Sequence, residues 1–183
     1  FLSQGQSLSG LMSKLSQPLG TILFPKIAKM ESQDSRFLVI KSFKIILILL
    51  TLAGISLYIL SPYFVTLLYG DDFYSSVIVV RYLIPSYVIY ASASVFSSFF
   101  SGIGKPQYLV IAQFIPSILQ LALAYFFIPA YGLLGACWAL SIGFLASGLA
   151  NICLFIKNQQ ISLFSLLPLQ SDIALFVNLL SFR

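Results

Sequence analysis

The sequence predicts an all-α protein, a polytopic bundle of about five transmembrane helices, and three observations lead to this prediction. First, 59% of the 183 residues are hydrophobic and only 8% are charged, whereas a soluble domain carries about 25% charged residues. Second, the apolar residues gather in runs of roughly 20, the length that crosses the hydrocarbon core as a helix. Third, the basic residues fall in alternate connections between these runs, as the positive-inside rule requires of membrane hairpins.

Five segments are long and apolar enough to cross a membrane. The first is the least apolar, the second contains the uncharged run "IILILLTLAGISLYIL", and the third contains a single charge, Arg81. The uncharged sequence from Pro106 to Ile156 is too long for one crossing, and "IPAYGLLG" divides it because Pro and Gly interrupt helices. The predicted spans are residues 3–25, 43–60, 73–101, 107–127 and 133–156.

The connections between these spans predict which side of the membrane each one faces. Residues 26–44 contain five Lys or Arg, residues 102–106 contain one more, and Lys157 follows the last span. Residues 61–72 and 128–132 contain none. We therefore expect 26–44 and 102–106 to be cytoplasmic and 61–72 and 128–132 to be extracytoplasmic in a multi-pass membrane protein.

The two ends of the chain complete this organisation. The first span begins outside, so we expect further spans before Phe1, and we expect residues 1–157 to form one bundle. In the tail, residues 158–183, "ISLFSLLPL" and "IALFVNLL" are each too short to cross the membrane. A cytoplasmic or interfacial tail and the start of a truncated span both fit this pattern.

The pair Asp71 and Asp72 in "LLYGDDFYSS" resembles the metal-binding turn of a template-copying polymerase. That turn belongs to a soluble domain that supplies a third carboxylate, whereas this pair lies between two predicted spans. We therefore expect neither catalysis nor metal binding here. We predict that "YFVTLLYG" forms a separate interfacial helix that ends at Gly70. The two aspartates would then cap the third span, where the helix dipole favours negative charge.

The remaining composition predicts neither a metal site nor a cofactor. The chain has no His, and Cys137 and Cys153 lie sixteen residues apart in apolar sequence, without the spacing of metal ligands. The net charge of +5 comes mostly from residues that flank apolar runs, so we attribute it to membrane orientation and not to nucleic-acid binding.

Two cations inside the predicted spans are the principal binding candidates, because a charge buried in lipid is costly and is usually functional. Lys14 lies about 18 Å along the helix from Lys26, near the midplane, and Arg81 lies eight to ten residues below the outer end of the third span. Each has polar neighbours on its helix face, and the fourth span has a stripe that includes Ser117. The candidate substrate-binding residues are Lys14, Gln17, Arg81, Ser92, Gln113 and Gln120.

The sign of these charges predicts the sign of the ligand. No Asp or Glu occurs within the five spans, so an anion is the expected occupant of a shared cavity, and the planar fork of Arg suits a phosphate. Two alternatives stay open: Arg81 reaches the outer headgroups, or Lys14 pairs with a helix from a preceding part of the protein.

Two rows of small residues are expected to pack helices together. Ser94, Ser98 and Gly102 recur every four residues in the third span. Gly135, Ala139 and Gly143 do the same in the fifth. Such rows allow helices to approach closely in lipid.

Four ordered motifs carry a resemblance to a known family. "QPLGTILFPKIAK", "LLYGDDF", "SGIGKPQ" and "FFIPAYGLLGACWAL" resemble the C-terminal half of polysaccharide flippases of the O-antigen type. These flippases belong to the superfamily of multidrug extruders and lipid II flippases. The resemblance covers residues 3–157, and the motifs follow one another in the family's order.

The resemblance implies a non-enzymatic, multi-pass transporter of the bacterial inner membrane. The bundle would pair with a similar N-terminal bundle around a cationic cavity and alternate between inward-open and outward-open states. Its substrate would be an oligosaccharide on polyprenyl pyrophosphate, and Lys14 and Arg81 would meet the pyrophosphate or acidic sugars. Two alternatives remain: a cation-coupled multidrug extruder, which needs intramembrane acids, and a membrane-bound polysaccharide polymerase or ligase, which needs clustered catalytic residues in a long outer loop.

Overall fold

The computed structural model describes residues 1–27 and 32–166, and their regular secondary structure is entirely helical. The all-α prediction is therefore confirmed. Two short 3-10 turns, Asp71–Phe73 and Leu163–Leu166, accompany the α-helices. The α-helices are α1 (Leu2–Ser9), α2 (Leu11–Ile27), α3 (Ser32–Tyr69), α4 (Ser76–Gly102) and α5 (Gln107–Gln159).

Three of the described helices are long and apolar enough to cross a membrane, and the chain is accordingly a membrane protein. These helices are α3, α4 and α5. The first predicted span corresponds to α1 and α2, which have 8 and 17 residues. Gly10 joins them with helical dihedral angles, φ −64° and ψ −15°, so the two helices continue one another. A crossing by this pair stays a prediction.

Helix α5 is a hairpin of two arms. A straight helix of its 53 residues would be about 80 Å long, far beyond the roughly 30 Å hydrocarbon core. Gly132 has non-helical angles, φ 56° and ψ −126°, and separates residues 107–131 from 133–159. Across the turn, Gly143 lies against the Gln120 side chain. The division that "IPAYGLLG" predicts is therefore present.

Helix α4 is the centre of the bundle, and its neighbours can be ordered by their contacts. Gly5 of α1 lies against Val79, and the Ser94 hydroxyl donates to Ser16 of α2 at 3.5 Å. In these two contacts the residue number rises on both sides, so α1 and α2 run parallel to α4. Helix α3 runs antiparallel, because Tyr58 meets Arg81, near the start of α4, whereas the earlier α3 residue Phe43 packs near its end.

The second arm of α5 also runs parallel to α4. The Ser141 hydroxyl donates to the Tyr82 carbonyl at 3.0 Å, and the Ser97 hydroxyl donates to Asn151 Oδ1 at 3.0 Å. The helices thus alternate in direction along the chain. The end of α2, the start of α3, the connection at 103–106 and the end of α5 consequently share one end of the bundle. The connections at 70–75 and at Gly132 share the other.

An aromatic cluster joins three helices near the first of these ends. The Phe96 ring of α4 lies 4.9 Å from Phe43 of α3 and 4.4 Å from Phe155 of α5, measured between centroids. Phe99 lies 5.1 Å from Phe155. Large buried aromatic side chains of this kind contribute heavily to core packing, so the cluster fixes α3 and α5 against α4.

Two details of the predicted connections are wrong. Helix α3 continues to Tyr69 without a separate interfacial helix, and it begins at Ser32, so most of the expected 26–44 loop is helical. Its 38 residues extend about 57 Å, which is longer than the hydrocarbon core, and its ends therefore reach into the polar regions where the sequence resembles a loop.

The two aspartates do not cap α4 either. Asp71 and Asp72 are exposed in a 3-10 turn, and α4 begins at Ser76 with Ser75 as its N-cap. Gly70 has φ 87°, a conformation that suits glycine, and it follows the last residue of α3. The 3-10 turn that contains the two carboxylates therefore comes before the first residue of α4.

Candidate functional site

The exposed face of α2 carries the first group of sequence-predicted residues. Met12 and Ser16 are buried, and Ser16 meets Ser94 of α4. Lys14 is two residues from each of them, about 200° around the helix in either direction, so it lies on the opposite face. Lys14 and Gln17 are both exposed there. Among the described residues, no carboxylate pairs with Lys14.

The opposite side of this helix pair is tightly packed on α4. A Cβ atom on Gly5 would lie only 2.5 Å from Val79, so the backbones are in close contact. The Ser9 hydroxyl donates to the Gly5 carbonyl at 2.9 Å and approaches the Val80 carbonyl at 3.5 Å. Small residues and hydroxyl bonds are the usual means of helix association in lipid. Lys14 therefore lies on the exposed face of a helix pair whose opposite face packs tightly against α4.

Arg81 lies on α4 and faces α3. It comes five residues after Ser76, about 8 Å along the helix, and is therefore closer to the helix start than the sequence interpretation places it. Its guanidinium carbon lies 5.2 Å from the centroid of the Tyr58 ring, within the range of a cation–π contact. Ile78 and Tyr82 complete a cavity of about 330 Å³ around it.

The described contacts do not bring Lys14 and Arg81 together. On α4, Arg81 faces Tyr58 of α3, whereas Val80 and Ser94 face α1 and α2. On α2, Lys14 lies on the side away from α4. The two cations therefore occupy different surfaces of the bundle.

The other three candidates have contacts within the bundle. Ser92 is fully buried, and its hydroxyl donates to the Val88 carbonyl at 2.6 Å, one turn earlier. Gln120 is half-buried between the arms of α5, against Gly143. Gln113 is also half-buried, and its backbone carbonyl, not its side chain, accepts a hydrogen bond from the Ser117 hydroxyl at 2.7 Å. Only Lys14, Gln17 and Arg81 of the six are exposed.

The structure also contains a groove that no polar residue in the sequence indicates. It runs between α3 and α4 and has a volume of about 390 Å³. Its lining is apolar except for Thr51 and the Tyr58 hydroxyl, so no charge marks it in the sequence. The residues that line it are Leu47, Thr51, Gly54, Ile55, Tyr58, Ile84, Pro85, Val88 and Ile89.

A buried polar pair between α4 and α5 was missed as well. Asn151 is 2% exposed and accepts from the Ser97 hydroxyl, while its own amide donates to the Ser147 carbonyl at 2.9 Å. An Asn within an apolar run is the only sequence signal of this pair, and that signal does not identify the partner.

Residues 1–27 and 32–166 contain no group of three or more His, Cys, Asp or Glu side chains placed to hold a metal ion. Cys137 is buried, Cys153 is exposed, and both are free. Comparison of the chain with protein-family models, with curated proteins and with solved structures finds no match. The function therefore has to be argued from the bundle and its two cationic surfaces.

Proposed function

We propose that this chain is one half of a transporter that flips oligosaccharides linked to polyprenyl pyrophosphate across the bacterial inner membrane. The observation that carries the proposal is the exposed face of α2, where Lys14 and Gln17 lie side by side within an apolar bundle. The order of the four sequence motifs that resemble polysaccharide flippases supports it.

Charge complementarity makes a pyrophosphate a suitable ligand for this face. Lys14 lies about 20 Å along the helix from Ile27 and about 18 Å from Leu2, which is close to the middle of α1 and α2. A cation at this depth is costly in lipid and calls for an anion or a wet cavity. A pyrophosphate supplies the anion, and the Gln17 amide can donate to a phosphate or a sugar hydroxyl.

A second bundle would complete the cavity. The first arm of α5 exposes large apolar side chains, among them Leu121 at 72% and Tyr125 at 76%, which suit lipid or a second bundle but not water. In the proposed arrangement, α2 faces this second bundle and the two halves rock about the substrate by alternating access. The basic end of the bundle faces the cytoplasm.

The described acids do not favour the multidrug-extruder alternative. Asp34 lies in the first turn of α3, and Asp71 and Asp72 lie in the turn before α4. All three are at helix ends, whereas a proton or sodium relay uses carboxylates within the spans.

Substitution of Lys14 tests the proposal in cells that depend on the full-length protein. We expect Lys14→Ala and Lys14→Glu to lower export of surface polysaccharide, and Lys14→Arg to retain most of it, because the positive charge is what binds the phosphate. Loss of one charge-assisted hydrogen bond predicts a reduction of roughly tenfold in the transport rate. Surface polysaccharide, normalised to the amount of inserted protein, is the measurement.

Lys105→Ala is the matched control, because Lys105 is exposed in the connection between α4 and α5 and outside the proposed cavity. Normal export in both Lys14→Ala and Lys14→Glu cells would remove the binding role of the α2 face.

A further inference from the structure

We propose that the groove between α3 and α4 binds an acidic membrane lipid, with the lipid phosphate at Arg81 and one hydrocarbon chain along the groove. This site is distinct from the α2 face and does not rest on the proposed transport function. Three features of the structure support it: the geometry of Arg81, the lining residue that two neighbouring cavities share, and the length of the groove.

Arg81 is arranged to bind an anion. Its guanidinium carbon lies over the Tyr58 ring, 5.2 Å from the ring centroid, and no hydrogen bond within the described part of the chain engages its N–H donors. No ion pair to this guanidinium occurs among the described residues. A phosphate can accept two parallel hydrogen bonds from that edge, so a charged headgroup is a better partner than the aromatic ring alone.

The cavity around Arg81 lies next to the apolar groove. Tyr58 lines both the cavity around Arg81 and the apolar groove. Gly54 forms the floor of the groove, because a Cβ atom there would lie 3.0 Å from Val88 and 3.1 Å from Ile84. The absence of a side chain at Gly54 leaves a channel above this contact, and a flexible hydrocarbon chain fits an apolar channel of this kind.

The length of the groove matches one leaflet of the bilayer. Leu47 and Tyr58, the lining residues of α3 that lie furthest apart in sequence, are separated by about 17 Å along the helix. Half of the roughly 30 Å hydrocarbon core is about 15 Å. Arg81 lies near the start of α4, and Tyr58 and Tyr82 flank it, as tyrosines do at a membrane interface. A lipid with its headgroup at Arg81 would therefore extend one chain to the midplane.

Native mass spectrometry of the full-length protein in detergent, titrated with dioleoyl phosphatidylglycerol, tests the headgroup contact. We expect Arg81→Gln to weaken phosphatidylglycerol binding about tenfold, the effect of one lost charge-assisted contact. Binding of dioleoyl phosphatidylcholine should be weaker in the wild type and should fall less in Arg81→Gln, because the choline cation offsets the phosphate charge. Lys105→Gln removes the same charge at the other end of α4 and should bind phosphatidylglycerol like the wild type. Equal binding by Arg81→Gln and the wild type, or an equal loss in Lys105→Gln, would overturn the proposal.

A second pair of variants tests the groove. Ile55 lines the groove and is 54% exposed, so Ile55→Trp should obstruct it and reduce phosphatidylglycerol binding. Leu49 is exposed on the opposite face of α3, two residues from both Leu47 and Thr51, and Leu49→Trp should bind normally. Equal binding by the two variants would refute a chain in the groove. If glycerol phosphate displaced the lipid completely, the site would bind a phosphate without a hydrocarbon chain. If the wild type bound no lipid, another protein surface would cover this face. Either result contradicts the inference.

Discussion

At the scale of single residues, the packing of the bundle depends on positions where only a small side chain fits. The row Gly135, Ala139 and Gly143 is buried as its spacing predicts, and a Cβ atom on Gly143 would lie 2.5 Å from Gln120 Oε1. The sequence predicts that this row packs against a helix, but it does not identify the partner residues. Those depend on the turn at Gly132.

Gly143→Leu should destabilise the α5 hairpin by about 1–3 kcal/mol, because the added side chain would overpack a closed contact. The measurement is the midpoint of thermal unfolding in detergent. Ala122→Leu is the control, since Ala122 is exposed on the first arm and has room for a larger side chain. Equal midpoints for the two variants would mean that the arms are not in contact as described.

The ionisable residues were also only partly predictable. That Lys14 and Arg81 lie inside predicted spans follows from the sequence alone. Their divergence does not, because the direction of each side chain depends on which face of its helix packs against the neighbouring helices. The hydroxyl of Ser92 illustrates the same limit, since a serine on a polar stripe can satisfy itself one turn back along its own helix.

At the scale of helices, polar contacts connect α4 to its neighbours. The hydrogen bond from the Ser97 hydroxyl to Asn151 joins α4 to the second arm of α5 at 3.0 Å. The side-chain nitrogen of Asn151 donates to the Ser147 carbonyl. Buried amides need such partners because an unsatisfied polar group in an apolar environment is costly.

A double-mutant cycle should detect this bond. The variants Ser97→Ala and Asn151→Ala, separately and together, should give a coupling energy of about 0.6 kcal/mol, the average for hydrogen bonds between membrane helices. The measurement is the free energy of unfolding in mixed micelles. Ser56→Ala is the control, because the Ser56 hydroxyl donates only to Leu52 within its own helix at 3.0 Å. A coupling energy indistinguishable from zero would argue against the pairing of these two helices.

The helices themselves were the most predictable level. A long uncharged run in lipid can satisfy its backbone hydrogen bonds only as a helix. The break in α5 that "IPAYGLLG" indicates lies at Gly132. The ends of α3 were less predictable, because a helix that leaves the hydrocarbon core keeps its backbone bonds while its side chains become polar. Tail residues 167–183 lie outside the described residues, as does the connection at 28–31, so the expectation for the tail stays open.

At the scale of the whole molecule, the alternating helix directions collect the basic connections at one end of the bundle. Arg36, Lys105 and Lys157 lie at this end, whereas Asp71 and Asp72 lie at the other. The positive-inside rule predicts that the basic end is cytoplasmic. The sequence was sufficient for this prediction, since the rule needs only the order of spans and charges.

Cysteine labelling in intact cells tests the orientation. In a background with Cys137→Ala and Cys153→Ser, Asp71→Cys should react with an impermeant thiol reagent added outside. Arg36→Cys should react only after the cells are permeabilised. Both positions are exposed, so access and not burial decides the result. The reverse pattern would invert the bundle and, with it, the assignment of cytoplasmic connections.

The central claim is that the α2 face binds the pyrophosphate of a lipid-linked oligosaccharide during its passage across the membrane. The most direct measurement uses the full-length protein in proteoliposomes that contain a fluorescent polyprenyl-pyrophosphate oligosaccharide, with transbilayer movement followed by quenching from outside. We predict movement with the wild type and with Lys14→Arg, and a rate about tenfold lower with Lys14→Ala. Equal rates for the wild type and Lys14→Ala, or no movement with the wild type, would contradict the account.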